Sequence, residues 1–255
     1  MTNLIWGVYP YVAFTLFFTV PVIRMLTRPY SFSTRASGLF NRRTQGLAMH
    51  LFHWGIFLLL IGHISGFIGG ALSLDAWVDP VFYWLGLVGG LMALTGSVIA
   101  LIRRFVVPEV RAMSSQLDDY LVHFFLITIL SIALYQVIFE QTFGIAYAVA
   151  PWFASIWAFS PDPTLMEGAT TLTQVHVFVA LTFFAYFPFT KLVHFWTYPI
   201  NYFVRPYLVI RTNHFHSEGR WEFGLRSDKS YLTYLASVIV LGVVGLSSYI
   251  VFGQG

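Results

Sequence analysis

Long apolar stretches, each roughly 20 residues or more, divide this chain, and its charged residues collect between them. At about 1.5 Å of rise per residue, each stretch is long enough as a helix to cross a hydrocarbon core of about 30 Å. They fall near residues 4 to 26, 47 to 70, 80 to 102, 120 to 141, 172 to 196 and 231 to 252. The pattern predicts an all-α integral membrane protein, a bundle of six transmembrane helices. Composition agrees, with 57% hydrophobic and only 10% charged residues, far from the balance of a soluble domain.

Charge placement orients the bundle, because Lys and Arg concentrate in cytoplasmic loops. Arg24, Arg28, Arg35, Arg42 and Arg43 follow the first span, and Arg103, Arg104 and Arg111 follow the third. Lys191, Arg205, Arg211, Arg220, Arg226 and Lys229 end or follow the fifth, so six spans with the N-terminus outside put all 14 basic residues on one side. Asp75, Asp79, Glu140, Asp162 and Glu167 fall on the other. The net charge of +3 is thereby a matter of membrane topology and does not indicate a nucleic-acid partner. Met1 to Trp6 contains no positive residue, so the first span reads as a retained helix and not as a cleaved signal peptide.

The absence of cysteine excludes disulfides, thiolate-held iron–sulfur clusters and covalent c-type haem. Histidines remain, and an ionisable side chain inside a span marks function by default. His53 and His63 lie ten residues apart in the second span; His176 and His194 lie eighteen apart in the fifth. Two histidines on one helix cannot reach opposite faces of one porphyrin, whereas two antiparallel helices can. Matching depths pairs His63 with His176 on the outer side and His53 with His194 on the cytoplasmic side, as axial ligands of two non-covalent b-type haems. The spacings are unequal, about 15 Å against about 27 Å along ideal helices, and Pro188 is expected to kink the fifth span between its two histidines. Gly55, Gly62 and Gly66 flank the ligands; they suit close approach of a flat macrocycle, but on their own they favour ordinary helix packing. His50 and His123 read as interfacial or supporting residues, and His214 and His216 as contacts in the cytoplasmic connection. Arg111 and Lys191 could pair with haem propionates, for which charge-assisted hydrogen bonds are suited.

These residues carry a family likeness. The run His50 to Ile56, then Ile61 to Gly66, and in the fifth span Val175–His176 with Phe187 to Trp196, resemble the cytochrome b (gamma) subunit of membrane-bound respiratory nitrate reductases. Tyr9–Pro10–Tyr11 and the Pro108 to Arg111 connection add weaker agreement, and the likeness covers roughly residues 4 to 212. The resemblance implies a five-helix, multi-pass anchor in the prokaryotic inner (cytoplasmic) membrane, with residues 1–230 forming the di-haem domain. It implies quinol oxidation near the outer face, and electron delivery to a cytoplasmic iron–sulfur subunit and then a molybdenum catalytic subunit. It also assigns His63 and His176 to the distal haem, and His53 and His194 to the proximal one.

Two features depart from the family. Where it commonly has a quinol-binding lysine at the start of the third span, alignment from His63 through Ala76–Trp77 puts Tyr83, which can hydrogen-bond a quinone oxygen but supplies no cation. A quinone pocket near Gly62, His63 and Tyr83 is the expectation. The chain also continues into a sixth apolar stretch, within residues 231–255, that contains no His, Lys, Arg, Asp or Glu and is expected to pack against another subunit or lipid. Alternatives are the cytochrome b subunit of another membrane oxidoreductase, electron flow in the reverse direction, and a histidine-lined metal or proton transporter.

Overall fold

The computed structural model describes residues 2–27, 42–73, 81–114, 118–140 and 145–193. His194 and the sixth apolar stretch therefore lie outside the described residues. A π-helical turn, Asn3–Val8, leads into α1 (Tyr9–Thr27); α2 spans Arg42–Ala71, α3 Val81–Val106, α4 Pro108–Met113 and α5 Asp118–Ile138. Two short helices, α6 (Ile145–Ala148) and α7 (Ala150–Trp157), and a 3₁₀ turn, Pro163–Met166, precede α8 (Thr171–Tyr186). Among the described residues, five helices are long and apolar enough to cross a membrane: Asn3–Thr27, Arg43–Ala71, Tyr83–Val106, Asp118–Ile138 and Thr171–Phe189. They coincide with the first five stretches of the sequence, and the chain is an integral membrane protein of helical architecture.

The helices form an open series in which α2 packs on α3, α3 on α5, α5 on α8 and α8 on α1. Glycine sets the closest of these approaches. A Cβ on Gly55 would stand 2.6 Å from the Gly89 carbonyl oxygen and against the Ala93 backbone, and one on Gly96 would stand 2.6 Å from the Ala48 carbonyl oxygen. The backbones of α2 and α3 thus touch along an antiparallel seam, where dispersion between backbones replaces a hydrophobic drive that lipid does not supply. Gly66 and Gly70 do the same against Ala146 and Tyr147. Gly55 and Gly66 are packing glycines, which is the plainer of the two readings their sequence allowed.

The connection between the fourth and fifth spans is part of the core. Trp152, Ile156 and Met166 are buried, and the indole Nε1 of Trp152 donates to the Trp6 carbonyl at 2.9 Å. Phe153 stacks on Phe67 of α2, with ring centroids 4.1 Å apart, and also meets Phe14 of α1. Both α6 and α7 pack on α2, and α7 also reaches α1 through Phe14 and Tyr11, so it bridges the two ends of the open series and roofs one end of the bundle.

The expected kink at Pro188 is a helix end. The α-helix stops at Tyr186 and gives way to 3₁₀ turns at Phe187–Phe189 and Lys191–Val193, so the fifth span is not one continuous helix to residue 196. Proline lacks the N–H that would continue the ladder, which leaves carbonyls at the helix end without intrahelical donors. In the turns that follow α8, the Arg24 guanidinium of α1 donates to the Pro188 carbonyl and, at 3.0 Å, to that of Thr190. A cation at a helix C-terminus is favoured by the dipole as well.

Candidate haem-ligand site

His53 and His63 project from α2 and are both exposed within the chain. Each ring makes the same local bond. Nδ1 of His53 lies 2.8 Å from the Met49 carbonyl oxygen, and Nδ1 of His63 lies 2.7 Å from that of Leu59, in both cases one turn back. A carbonyl only accepts, so in both rings Nδ1 carries the hydrogen, and the lone pair of the neutral imidazole is on Nε2. That is the arrangement of a metal-ligating histidine, whose second nitrogen is held by a carbonyl to fix tautomer and ring direction.

His176 of α8 is buried at 8% exposure, with no hydrogen-bond partner for Nδ1. It is near enough to His63 for their charges to interact, and it also faces the backbone of Ile129 on α5. The tertiary structure therefore brings together His63 and His176, which are 113 residues apart in the sequence. Helices α2 and α8 are not among the closely packed pairs of helices.

Among the described residues no three His, Cys, Asp or Glu side chains converge as a metal cage. A six-coordinate b-type haem asks for less, one imidazole on each face. The donor chemistry at His63 and His176 fits that group: one imidazole holds its Nδ1 on a carbonyl and keeps Nε2 for a metal, and the second is buried near it. For the inner pair, His53 has the same prepared geometry, and His194 lies outside the described residues.

The remaining site residues separate. Gly62 is half-buried, and a Cβ there would meet only the Leu85 Cβ at 3.7 Å, so this glycine is not consumed by the α2–α3 seam. The same contact sets the level of Tyr83, two residues before Leu85, beside the His63 turn; the Tyr83 ring is half-buried and edge-on to Trp84. Lys191 forms an ion pair with Asp119 at 3.0 Å, so its ammonium has a carboxylate partner within the chain. Arg111 is exposed on α4. His123, for which the sequence offered no partner, is buried beside Ser97, with Nδ1 3.4 Å from the hydroxyl oxygen; His50 is exposed. His214 and His216 lie outside the described residues.

Sequence reasoning passed over the neutral polar groups inside the spans. Gln136 on α5 is fully buried and donates to Thr173 of α8, and Tyr9 of α1 donates to Thr182 of α8 at 2.8 Å. A lone Gln or Thr in an apolar run was the available signal, since such a group in hydrocarbon must find a partner.

Comparison with known proteins decides the family. The model of the nitrate reductase gamma subunit matches residues 2–213. The chain belongs to the nitrate reductase gamma subunit family. It is 30% identical to the nitrate reductase gamma chain of Bacillus subtilis over 82% of its own length and 97% of that protein. It is 26% identical to the respiratory nitrate reductase 1 gamma chain of Escherichia coli over 82% of its own length and 96% of that protein. The nitrate reductase-like protein NarX of Mycobacterium tuberculosis is 30% identical over 83% of this chain, but the match spans only 34% of that longer protein. The gamma-subunit match ends near residue 213, so the sixth apolar stretch lies beyond it.

Proposed function

We propose that this gamma-family chain is the di-haem b membrane anchor of a quinol-oxidising nitrate reductase. It takes electrons from quinol near the outer face and passes them to a cytoplasmic iron–sulfur subunit and its molybdenum partner. The observation that carries the reading is the matched Nδ1-to-carbonyl bond of His53 and His63, and His176 near enough to His63 to feel its charge supports it. Bound b-type haem would supply a one-electron iron couple at each pair.

The chain's own part is orientation and exclusion of water. The Leu59 and Met49 carbonyls hold the two α2 imidazoles in the tautomer that offers Nε2. The aromatic roof of Phe67, Phe153 and Phe14 keeps the outer end apolar. Tyr83, at the level of His63, offers a phenol hydroxyl to a quinone oxygen, with Gly62 leaving room for the ring. The described basic residues Arg24, Arg43, Arg103, Arg104, Arg111 and Lys191 fall at one end of the bundle, which the positive-inside tendency makes the cytoplasmic face of the inner membrane and the docking side. Arg111 and Lys191 stand there as candidate propionate partners, and His194 completes the inner pair with His53.

Haem content and ligand replacement test this. Pyridine haemochrome analysis of the purified complex should give two extractable b haems per gamma chain. His63→Ala and His176→Ala should each remove the same spectral component and spare the other, which His53→Ala and His194→Ala should remove. A histidine-lined transporter predicts no porphyrin at all. Loss of one common component on replacing His63 and His53 would break the pairing.

A further inference from the structure

Helices α5 and α8 are joined by polar contacts at two levels: Tyr186 reaches Asp118 at one end, and Gln136 reaches Thr173 near the end that carries Glu140 and Glu167. Gln136, in the last turn of α5, has no exposed surface. Its Nε2 donates to Thr173 Oγ1 at 2.8 Å and more distantly to Thr170 Oγ1 at 3.4 Å. The two threonine oxygens lie 3.0 Å apart, within hydrogen-bond reach. Thr173 is buried at 3% exposure, whereas Thr170, the N-cap of α8, is exposed. A hydrogen-bonded chain therefore runs from a fully buried amide to the surface of the bundle.

At its inner end Gln136 Oε1 is buried without a partner, and His176 follows Thr173 by one helical turn of α8. An unsatisfied acceptor in an apolar interior is costly, on the order of 1–3 kcal/mol, and such a site is commonly filled by a water or by a hydroxyl of a ligand. Helix packing alone does not call for this arrangement, since a leucine at 136 would fill the seam without leaving an acceptor orphaned.

We propose that Thr173 and Thr170 form a proton-release relay, with Gln136 Oε1 holding the hydroxyl or water that hands its proton to Thr173. This rests on the quinol-oxidising reading above. Oxidation of one quinol to quinone releases two protons and two electrons, for which b haem would be the one-electron acceptor if bound as proposed. Each proton binds Thr173 Oγ1 as that hydroxyl's own hydrogen crosses to Thr170 Oγ1, which releases one to outside water. Rotation of the two hydroxyls then resets the chain, so neither threonine changes composition. Gln136 itself transfers nothing; it orients the Thr173 hydroxyl toward Thr170.

The test uses the intact complex and duroquinol, a tail-less quinol, with haem reduction followed by stopped flow. Thr173→Val should slow quinol-driven reduction of the outer haem on the order of tenfold, a modest share of what positioned proton transfer contributes, and raise the solvent isotope effect. Haem content and the dithionite-reduced spectrum should stay unchanged, and Thr173→Ser should restore the rate. Wild-type kinetics in a Thr173→Val complex with full haem content overturn the relay, and so does failure of the serine variant to rescue. If Thr173→Val does not assemble, Thr170→Asn decides: asparagine keeps the helix cap but has no hydroxyl to relay, so slowed reduction supports the relay and an unchanged rate overturns it. A wild-type complex that holds both haems but is not reduced by duroquinol overturns the quinol reading and the relay with it.

Discussion

The two sides of α2 solve opposite problems. Toward α3, Gly55 meets the Gly89 and Ala93 backbone so closely that no side chain fits between the helices. Elsewhere on the same helix His53 and His63 are exposed within the chain, each ring held by its own helix carbonyl. One side gains stability from contact; the exposed histidines are left for another group. If α2 holds a bulky planar group, as proposed, its position needs fixing from behind. The glycine seam does that for α2, and the α6–α7 roof does it at one end.

The sharpest way to break this contrast is to fill the seam. Gly55→Leu should destabilise the bundle by on the order of 3 kcal/mol or more, because the obstacle is backbone that cannot rotate away. Its readout is lost assembly with both haems together, in detergent melts and absorption spectra. Gly62→Ala on the same helix should stay within about 1 kcal/mol of the parent, since its Cβ meets only an ordinary contact at 3.7 Å. Equal damage from the two variants would show that α2 is not fixed at the α3 seam.

A smaller effect probes the open side. Tyr83→Phe removes a hydroxyl and should slow haem reduction by a quinol analogue by several-fold, leaving the dithionite-reduced spectra unchanged. Gly62→Ala, which adds a methyl where the ring is expected, should alter the apparent affinity for quinol in the same assay. Unaltered kinetics in both would leave Tyr83 an aromatic-belt residue.

The smallest effect concerns Lys191. Its side chain is 35% exposed and that of Asp119 12%, so Asp119→Asn should cost about 1 kcal/mol or less in thermal stability. Haem midpoint potentials should not move if Lys191 serves only this ion pair. A displaced midpoint for the inner haem would place its ammonium on a propionate.

How much could be read without coordinates differs by element. The first five spans were legible because hydrocarbon thickness imposes a minimum apolar length on any helix that crosses it. The connection between the fourth and fifth spans was not. Trp152, Ile156 and Met166 lie in segments too short and too interrupted by proline to read as spans, yet α2 and α1 need them to close the roof. The identity of the candidate ligands was legible from spacing and depth, and the chain's membership of the gamma-subunit family agrees with the resemblance those residues carried. The dual prospect for the glycines was not resolvable, because a glycine beside a ligand and a glycine in a seam look alike until the facing helix is known.

Sequence alone established that this chain is built to span a membrane and that its basic residues gather in alternate connections, since composition and period follow from the solvent alone. Only the tertiary structure decided that Gly55 belongs to α3 while Gly62 stays open, that Lys191 has Asp119, that Arg24 binds the turns after α8, and that Gln136 reaches Thr173. Those assignments depend on which helices are neighbours and in what register. Lipid is equally apolar on every side, so a hydrophobic pattern does not encode neighbours; close packing and buried hydrogen bonds select them.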